Sequence, residues 1–296
     1  MIFRRRIARF AGIILFAFHA ACAAPVSIPA GTTIYAGGVA GLDALANPDN
    51  SIKFRMAGGG LYLHNNGWSR LTTVEQRQIV TTFQDRPVAI ELGFKEGPAP
   101  WASHLKSAYL SLGIAPAFIA ANAFDGNNLP TTATWAAYSA ALRATGLPRS
   151  TLILPTFEYA NFGANLSTLT NNTVSRRQDF QEIIQAAGGL VLDAPPGYAL
   201  NREENYRSWL YDAIQWTHRR KLPVVWIASP HTYFQTYQAD TEKFLSQLVQ
   251  HDAAPDTIVC ENYNDQTPAD FPNVVGNENQ PETTLGVALR LLELHK

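Results

Sequence analysis

Residues 151–158 read Thr-Leu-Ile-Leu-Pro-Thr-Phe-Glu, a continuous apolar run that halts on a carboxylate. Three later segments repeat the arrangement: residues 189–192 end at Asp193, residues 224–230 at His231 and residues 257–260 at Glu261. Runs that are apolar throughout, rather than alternating, suit strands covered on both faces. Such a strand gains nothing from a charged end, because an unpaired buried carboxylate is costly. A barrel of parallel strands does use charged ends, since its chemistry sits where the strands finish. The repeated ending therefore predicts a fold and a site together.

Earlier in the chain, residues 33–36, 52–56, 88–92 and 115–121 read as four more strands. Helical patterns fall between most of them, at 73–84, 101–112, 134–144, 175–187, 201–220, 239–251 and 281–295. The 175–187 segment opens on a Ser suited to an N-cap and stops at Gly188-Gly189. Pro281 suits a first helical position. Residues 42–46 are too short for a full helix, so the first unit is irregular. Eight strands alternating with helices predict an α/β fold, a single (β/α)₈ TIM barrel over residues 24–296. An open doubly wound sheet is the competing arrangement. Polar stretches at 161–173 and 261–280 read as long loops after strands five and eight, on the face of the charged ends.

The composition agrees with a large core. Hydrophobic residues make up 46% of the 296-residue chain and charged residues 16%, which argues against disorder. Arg4, Arg5, Arg6 and Arg9 precede an apolar stretch and then Ala21-Cys22-Ala23. Residues 1–23 thus read as a bacterial-type secretory signal, predicting a secreted or periplasmic protein with no stable membrane insertion after cleavage. An uncleaved anchor and a lipid-modified Cys22 are the alternatives. The chain carries 23 basic and 24 acidic residues. With four of the basic ones in the signal, the remainder stands at −5. That balance offers no electrostatic footprint for nucleic acid. Cys260 is then the sole cysteine and reads as a buried structural thiol.

A barrel would bring Glu158, Asp193, His231 and Glu261 to one mouth, with Glu91 at the end of strand three and Asn122 and Asp125 at the end of strand four. Glycoside hydrolysis needs a carboxylic acid for the leaving oxygen and a carboxylate for attack or for activating water. Glu158 and Glu261, three strands apart, are the expected pair, with Asp193 beside them. Glu91, Asn122, Asp125 and His231 are expected to tune them or to bind sugar hydroxyls. Tyr159, Tyr198, Tyr233, Tyr263 and Trp226 are expected to line the substrate, as are further aromatics such as Trp68, Trp101, Phe124, Phe162 and Tyr237. No cofactor is needed for that reaction. The competing chemistry is a divalent metal site (Mn²⁺, Mg²⁺ or Zn²⁺) held by Glu158, Asp193, His231 and Glu261. A non-catalytic carbohydrate-binding barrel is a third reading.

The Glu-Asp-His-Glu order on strands five to eight resembles the xylose-isomerase-like barrels, which implies a metal-dependent sugar isomerase, epimerase or hydrolase. The whole chain resembles secreted (β/α)₈ glycoside hydrolases, which implies a carbohydrate substrate. It departs from their largest clan, which carries its two glutamates on strands four and seven. Here those strands end Ala-Asn-Ala-Phe-Asp and Ser-Pro-His.

Other motifs carry less. Gly58-Gly59-Gly60 lacks the Lys-Ser/Thr of a phosphate loop and reads as a close backbone approach at the mouth. His64 reads as a substrate contact or an exposed loop residue. Gly37-Gly38 reads as a tight turn leaving room for a ligand. No Gly-x-Ser-x-Gly elbow is present. The sequons at Asn165 and Asn171 read as chance.

Overall fold

The computed structural model describes residues 28–92, 98–122, 131–158, 173–201, 204–230, 233–262 and 283–296, apart from the side chains of Glu158 and Phe234. Eight parallel strands close into a barrel in sequence order. They are β1 Thr33–Gly37, β2 Gly60–His64, β3 Val88–Leu92, β4 Phe118–Ala121, β5 Leu152–Glu158, β6 Leu190–Asp193, β7 Val224–Ala228 and β8 Thr257–Asn262. Closure runs through β1 and β8, with Thr33 level with Thr257 and Gly37 with Glu261. The (β/α)₈ expectation holds, and the open sheet does not.

Helices follow every strand: α1 Gly38–Leu45, α2 Pro48–Ala57, α3 Asn65–Arg70, α4 Thr73–Thr82, α5 Pro98–His104, α6 Thr132–Arg143, α7 Gln178–Ala187, α8 Pro196–Asn201, α9 Glu204–His218, α10 Tyr237–Gln250 and α11 Thr284–Leu294. Caps account for several of their bounds. Thr72 and Glu75 form a reciprocal capping box ahead of α4. Thr283 accepts the Gly286 amide ahead of α11. Ser175 does not cap α7. It lies in a 3₁₀ turn at Val174–Arg176, and the α7 N-cap position is Arg177.

Residues 52–56 are the one strand that the sequence reading misplaces. Ile52, Phe54 and Met56 alternate as a strand would, yet they belong to α2. Both ends of that helix are specified locally. The Asn47 side chain accepts the Asp49 amide at 2.9 Å, Pro48 takes the first turn, and Gly58 ends the helix at φ 108°. Phe54 is fully buried, while Ile52 and Met56 are exposed. Burying the phenyl ring is worth about 1.5–3 kcal/mol, and one apolar face suffices for a surface helix. The true second strand is Gly60-Leu-Tyr-Leu-His, buried at every position. The glycine triplet therefore lies at the N-terminal end of the barrel, away from the mouth. Gly60 is bare because a Cβ there would stand 2.8 Å from the Tyr35 ring.

Side chains divide by strand parity. Tyr35, Tyr62, Ala89, Phe118, Ala120, Leu154, Val191, Val225, Ile227 and Val259 fill the barrel as one cluster. Alternate residues such as Leu63, Ile90, Ile119, Leu192, Trp226, Ile258 and Cys260 face outward into a second cluster under the helices. The inner filling is apolar up to the level of Tyr62 and changes character above it.

Candidate active site

Above Tyr62 the inward parity delivers a different set of side chains. On β2 it reaches His64, on β3 Glu91, on β6 Asp193 and on β8 Glu261. All four sit at the C-terminal ends of their strands, the end at which barrels carry chemistry. Register ties them together: His64 is level with Glu91, Glu158 with Asp193, and Gly37 with both Tyr62 and Glu261. Glu91 is 4% exposed and Glu261 1%, while Asp193 is partly buried.

The Tyr62 hydroxyl donates to Glu91 Oε2 at 2.7 Å. His64 Nε2 stands 3.8 Å from Glu91 Oε1, an ion-pair distance too long for a hydrogen bond. His64 Nδ1 accepts the Asn66 amide at 3.2 Å, so a neutral imidazole would carry its proton on the nitrogen facing Glu91. Burial holds the Tyr62 phenol far above its ordinary range. The charges of Glu91, Glu261 and Asp193 push it in the same direction. Glu91, Asp193 and Glu261 thus end three strands of the barrel on its inward parity, and Glu91 among them holds the Tyr62 hydroxyl.

Two further hydroxyls face the same space. Leu154 lies inward and Phe157 outward, so Thr156 of β5 turns inward one step below Glu158. Ile227 lies inward and Ala228 pairs with Cys260, which brings Ser229 to the inner side at the level of Glu261. Thr156 is 1% exposed and Ser229 0%, and neither hydroxyl has a hydrogen-bond partner among the described residues. Asn122 follows β4 with its amide on Leu92 O, in inward parity with Phe118 and Ala120.

Several expected contacts lie elsewhere. Trp226 faces outward: its indole donates to Ala194 O at 2.8 Å and its ring packs edge-on against Phe244. The parity of β7 turns it away from the mouth, so it is no substrate contact. Tyr198 is buried in the outer cluster, edge-to-face with Tyr206, and Tyr233 packs against the same cluster. Trp68 stacks on Tyr109, Trp101 packs against Tyr138, and the Tyr237 hydroxyl is spent on Ala228 O. These rings seal the seams between strands and helices. Gly37 and Gly38 leave no room for a ligand, since added Cβ atoms would strike the backbones of Tyr62 and Asn262. Cys260 is a buried thiol, as expected, pushed up to about 12 by burial.

Asp125, Tyr159, His231, Tyr263, Phe124, Phe162, Pro281 and residues 1–23 lie outside the described residues, as do both sequons and most of the two long polar stretches. Glu158 ends β5 in register with Asp193, and its side chain is likewise undescribed. The alternative metal set therefore keeps Asp193 and Glu261 as its described members. Among the described residues no three His, Cys, Asp or Glu side chains converge as ligands.

Tyr62 is absent from the expected site, and His64 enters it only as a loop residue after the glycines, because the sequence reading puts the second strand at 52–56, eight residues too early. The signal was present: residues 60–64 are another apolar run that ends on an ionisable residue. The fold and site together define a (β/α)₈ barrel with a carboxylate-lined mouth. Compared with known proteins, the chain matches no family model and no curated sequence.

Proposed function

We propose that this barrel is a secreted or periplasmic glycoside hydrolase acting on an oligosaccharide or polysaccharide. One observation carries the reading: Glu91, Asp193 and Glu261 end three strands on the inward parity at the C-terminal rim, with the buried Tyr62 hydroxyl donating to Glu91. Carboxylates on different strands of one mouth are what acid and base roles need. Glu158 and Glu261, three strands apart in the ring, form the working pair. One carboxyl gives its proton to the glycosidic oxygen as the C–O bond breaks. The other carboxylate attacks the anomeric carbon, or takes a proton from the water that does. Each turn consumes one water and frees one reducing end. Asp193, Glu91 and His231 hold the charges apart and bind sugar hydroxyls. The arginine-rich, apolar start of the chain supports an extracytoplasmic location.

The test is reducing-end release from a panel of soluble glycans by the wild type, Glu158→Gln and Glu261→Gln. Each substitution lowers turnover by about 10²–10⁴-fold while circular dichroism stays unchanged. Wild-type turnover in either variant removes that residue from the mechanism. Activity that disappears on exhaustive chelation and returns with Mn²⁺, Mg²⁺ or Zn²⁺ would favour the metal reading instead.

A further inference from the structure

His64 ends β2 at the rim and is the N-cap of α3, where its Nδ1 accepts the Asn66 amide at 3.2 Å. That bond fixes the tautomer, so the neutral ring carries its proton on Nε2. Nε2 stands 3.8 Å from Glu91 Oε1, too far for a hydrogen bond between them. The other Glu91 oxygen is taken by the Tyr62 hydroxyl at 2.7 Å. A donor and an acceptor thus face each other across a gap, and neither has a hydrogen-bond partner among the described residues. Both residues keep some exposure, His64 7% and Glu91 4%. The corner around them is stiff. Trp68 of α3 donates to Ala108 O at 3.1 Å and stacks on Tyr109, while Gln76 of α4 holds the Trp68 carbonyl at 2.9 Å. The buried Tyr109 hydroxyl, which the Glu91 charge reaches, also lacks a hydrogen-bond partner among the described residues.

The gap defines its occupant. An oxygen about 2.8–2.9 Å from each atom fits to the side of the line that joins them. It must accept from Nε2–H and donate to Oε1 at once. A hydroxyl does both. A carbonyl or a glycosidic ether has no proton to give, and an ammonium has no lone pair to accept with. Polar atoms this poorly solvated are rarely left unbonded, because their desolvation goes uncompensated. Water meets the demand in the free protein, and a sugar hydroxyl replaces it with the same two bonds.

We infer that His64 and Glu91 seat one hydroxyl of the glycan, and that this subsite sets which hydroxyl configuration the mouth accepts. An epimer that turns that hydroxyl away leaves both the donor and the acceptor unpaired, which is the strong form of discrimination. The subsite is one neutral donor and one acceptor, so it requires no particular net charge elsewhere in the mouth. His64 acts by binding, and no step of the hydrolysis passes through it. The inference rests on the glycosidase reading and names how its substrate is recognised.

The experiment uses the full chain and oligosaccharides of matched length in gluco, galacto, manno and xylo configuration. Binding is read by calorimetry and cleavage by reducing-end release, for the wild type, His64→Asn and His64→Gln. His64→Asn keeps a side-chain oxygen for the Asn66 amide, so α3 stays capped, and removes the Nε2 donor. The wild type is expected to favour one configuration by about tenfold or more. His64→Asn should bind that sugar about 10–100-fold more weakly, raise KM more than it lowers kcat, and lose most of the preference. His64→Gln, whose amide reaches towards the Nε2 position, should recover part of the loss. Should the variants fold poorly, nuclear magnetic resonance of the wild type with isotope-labelled histidine decides instead: the His64 Nε2–H signal must shift on adding the preferred sugar, and an unmoved signal overturns the inference. Cleavage with no configuration preference, or with one that His64→Asn leaves intact, overturns the inference and leaves the glycosidase standing. A fall in kcat at unchanged KM puts His64 in the chemistry and overturns it as well. A binding preference that His64→Asn removes, with no cleavage in any set, upholds the subsite and overturns the hydrolase. Neither binding nor cleavage in any set overturns both.

Discussion

At Tyr62 a single hydroxyl stands between the barrel's apolar filling and its carboxylates. Its ring belongs to the inner cluster, and its oxygen donates to Glu91. A hydrogen bond to a charged acceptor is worth about 1.5–3 kcal/mol, more than a neutral one. Tyr62→Phe keeps the ring and removes the bond. The variant should unfold a few degrees lower, since about 1 kcal/mol moves Tm by roughly 2–4 °C in a domain of this size. Its turnover should fall about 10–100-fold, as for a residue that orients a carboxylate supporting the working pair. A merely structural role would lower kcat only in proportion to folded protein, and that outcome assigns Tyr62 to packing. At this scale Glu91, Asp193 and Glu261 were legible from their places at strand ends. Tyr62 was not, because nothing in its own identity separates a mouth tyrosine from a core one. Trp226 shows a related limit: its strand is legible in the sequence, but parity within the strand decides the face.

Parity also explains which elements could be read. The last four strands are apolar runs bounded by turn residues, and both faces of each are buried, so their bounds differ from the observed ones by a residue or two. Residues 52–56 were different. Ile52, Phe54 and Met56 alternate by accident, because α2 leaves two of the three in solvent. A period-two signal over five residues cannot outweigh caps at both ends. Asn47, Pro48 and Gly58 mark the helix more reliably than its apolar residues do. Asn47→Ala tests this directly. It removes the acceptor of the Asp49 amide and should cost about 1 kcal/mol, lowering Tm by roughly 2–4 °C. Asn47→Asp should restore it, because a carboxylate both caps and complements the helix dipole. Equal melting points for all three chains would show that packing of Phe54 alone holds α2. The same helix bears on function indirectly: once residues 48–57 are helical, residues 60–64 become β2, and His64 moves from a loop to the rim.

Across the whole molecule the two ends of the barrel do different work. The C-terminal rim gathers carboxylates, while the N-terminal end is stapled. Asp256, just before β8, accepts the Val224 amide at 2.8 Å and faces His218 Nε2 at 3.0 Å. Its own carbonyl takes the Thr33 amide at 3.0 Å, so one residue joins the starts of β1, β7 and β8 to the end of α9. Burial by itself raises the Asp256 carboxyl, but the His218 contact and the Val224 amide outweigh it and hold the group below its ordinary value. The sign follows from linkage. A carboxyl depressed in the folded chain contributes stability above its unfolded pKa, and the contribution fades as pH falls through the folded one. Asp256 is half exposed, so solvent screening limits the effect to about 1 kcal/mol or less. Asp256→Asn should therefore melt below the wild type by about 2–4 °C at pH 6, with the gap closing as the pH is lowered towards 3. Thermal unfolding followed by circular dichroism at a series of pH values measures both curves. Glycan binding near pH 6 should be unchanged, because the staple lies at the opposite end from Glu91 and Glu261. A gap that stays constant with pH would mean that the Asp256 charge contributes nothing and that its hydrogen bonds alone join the three strands.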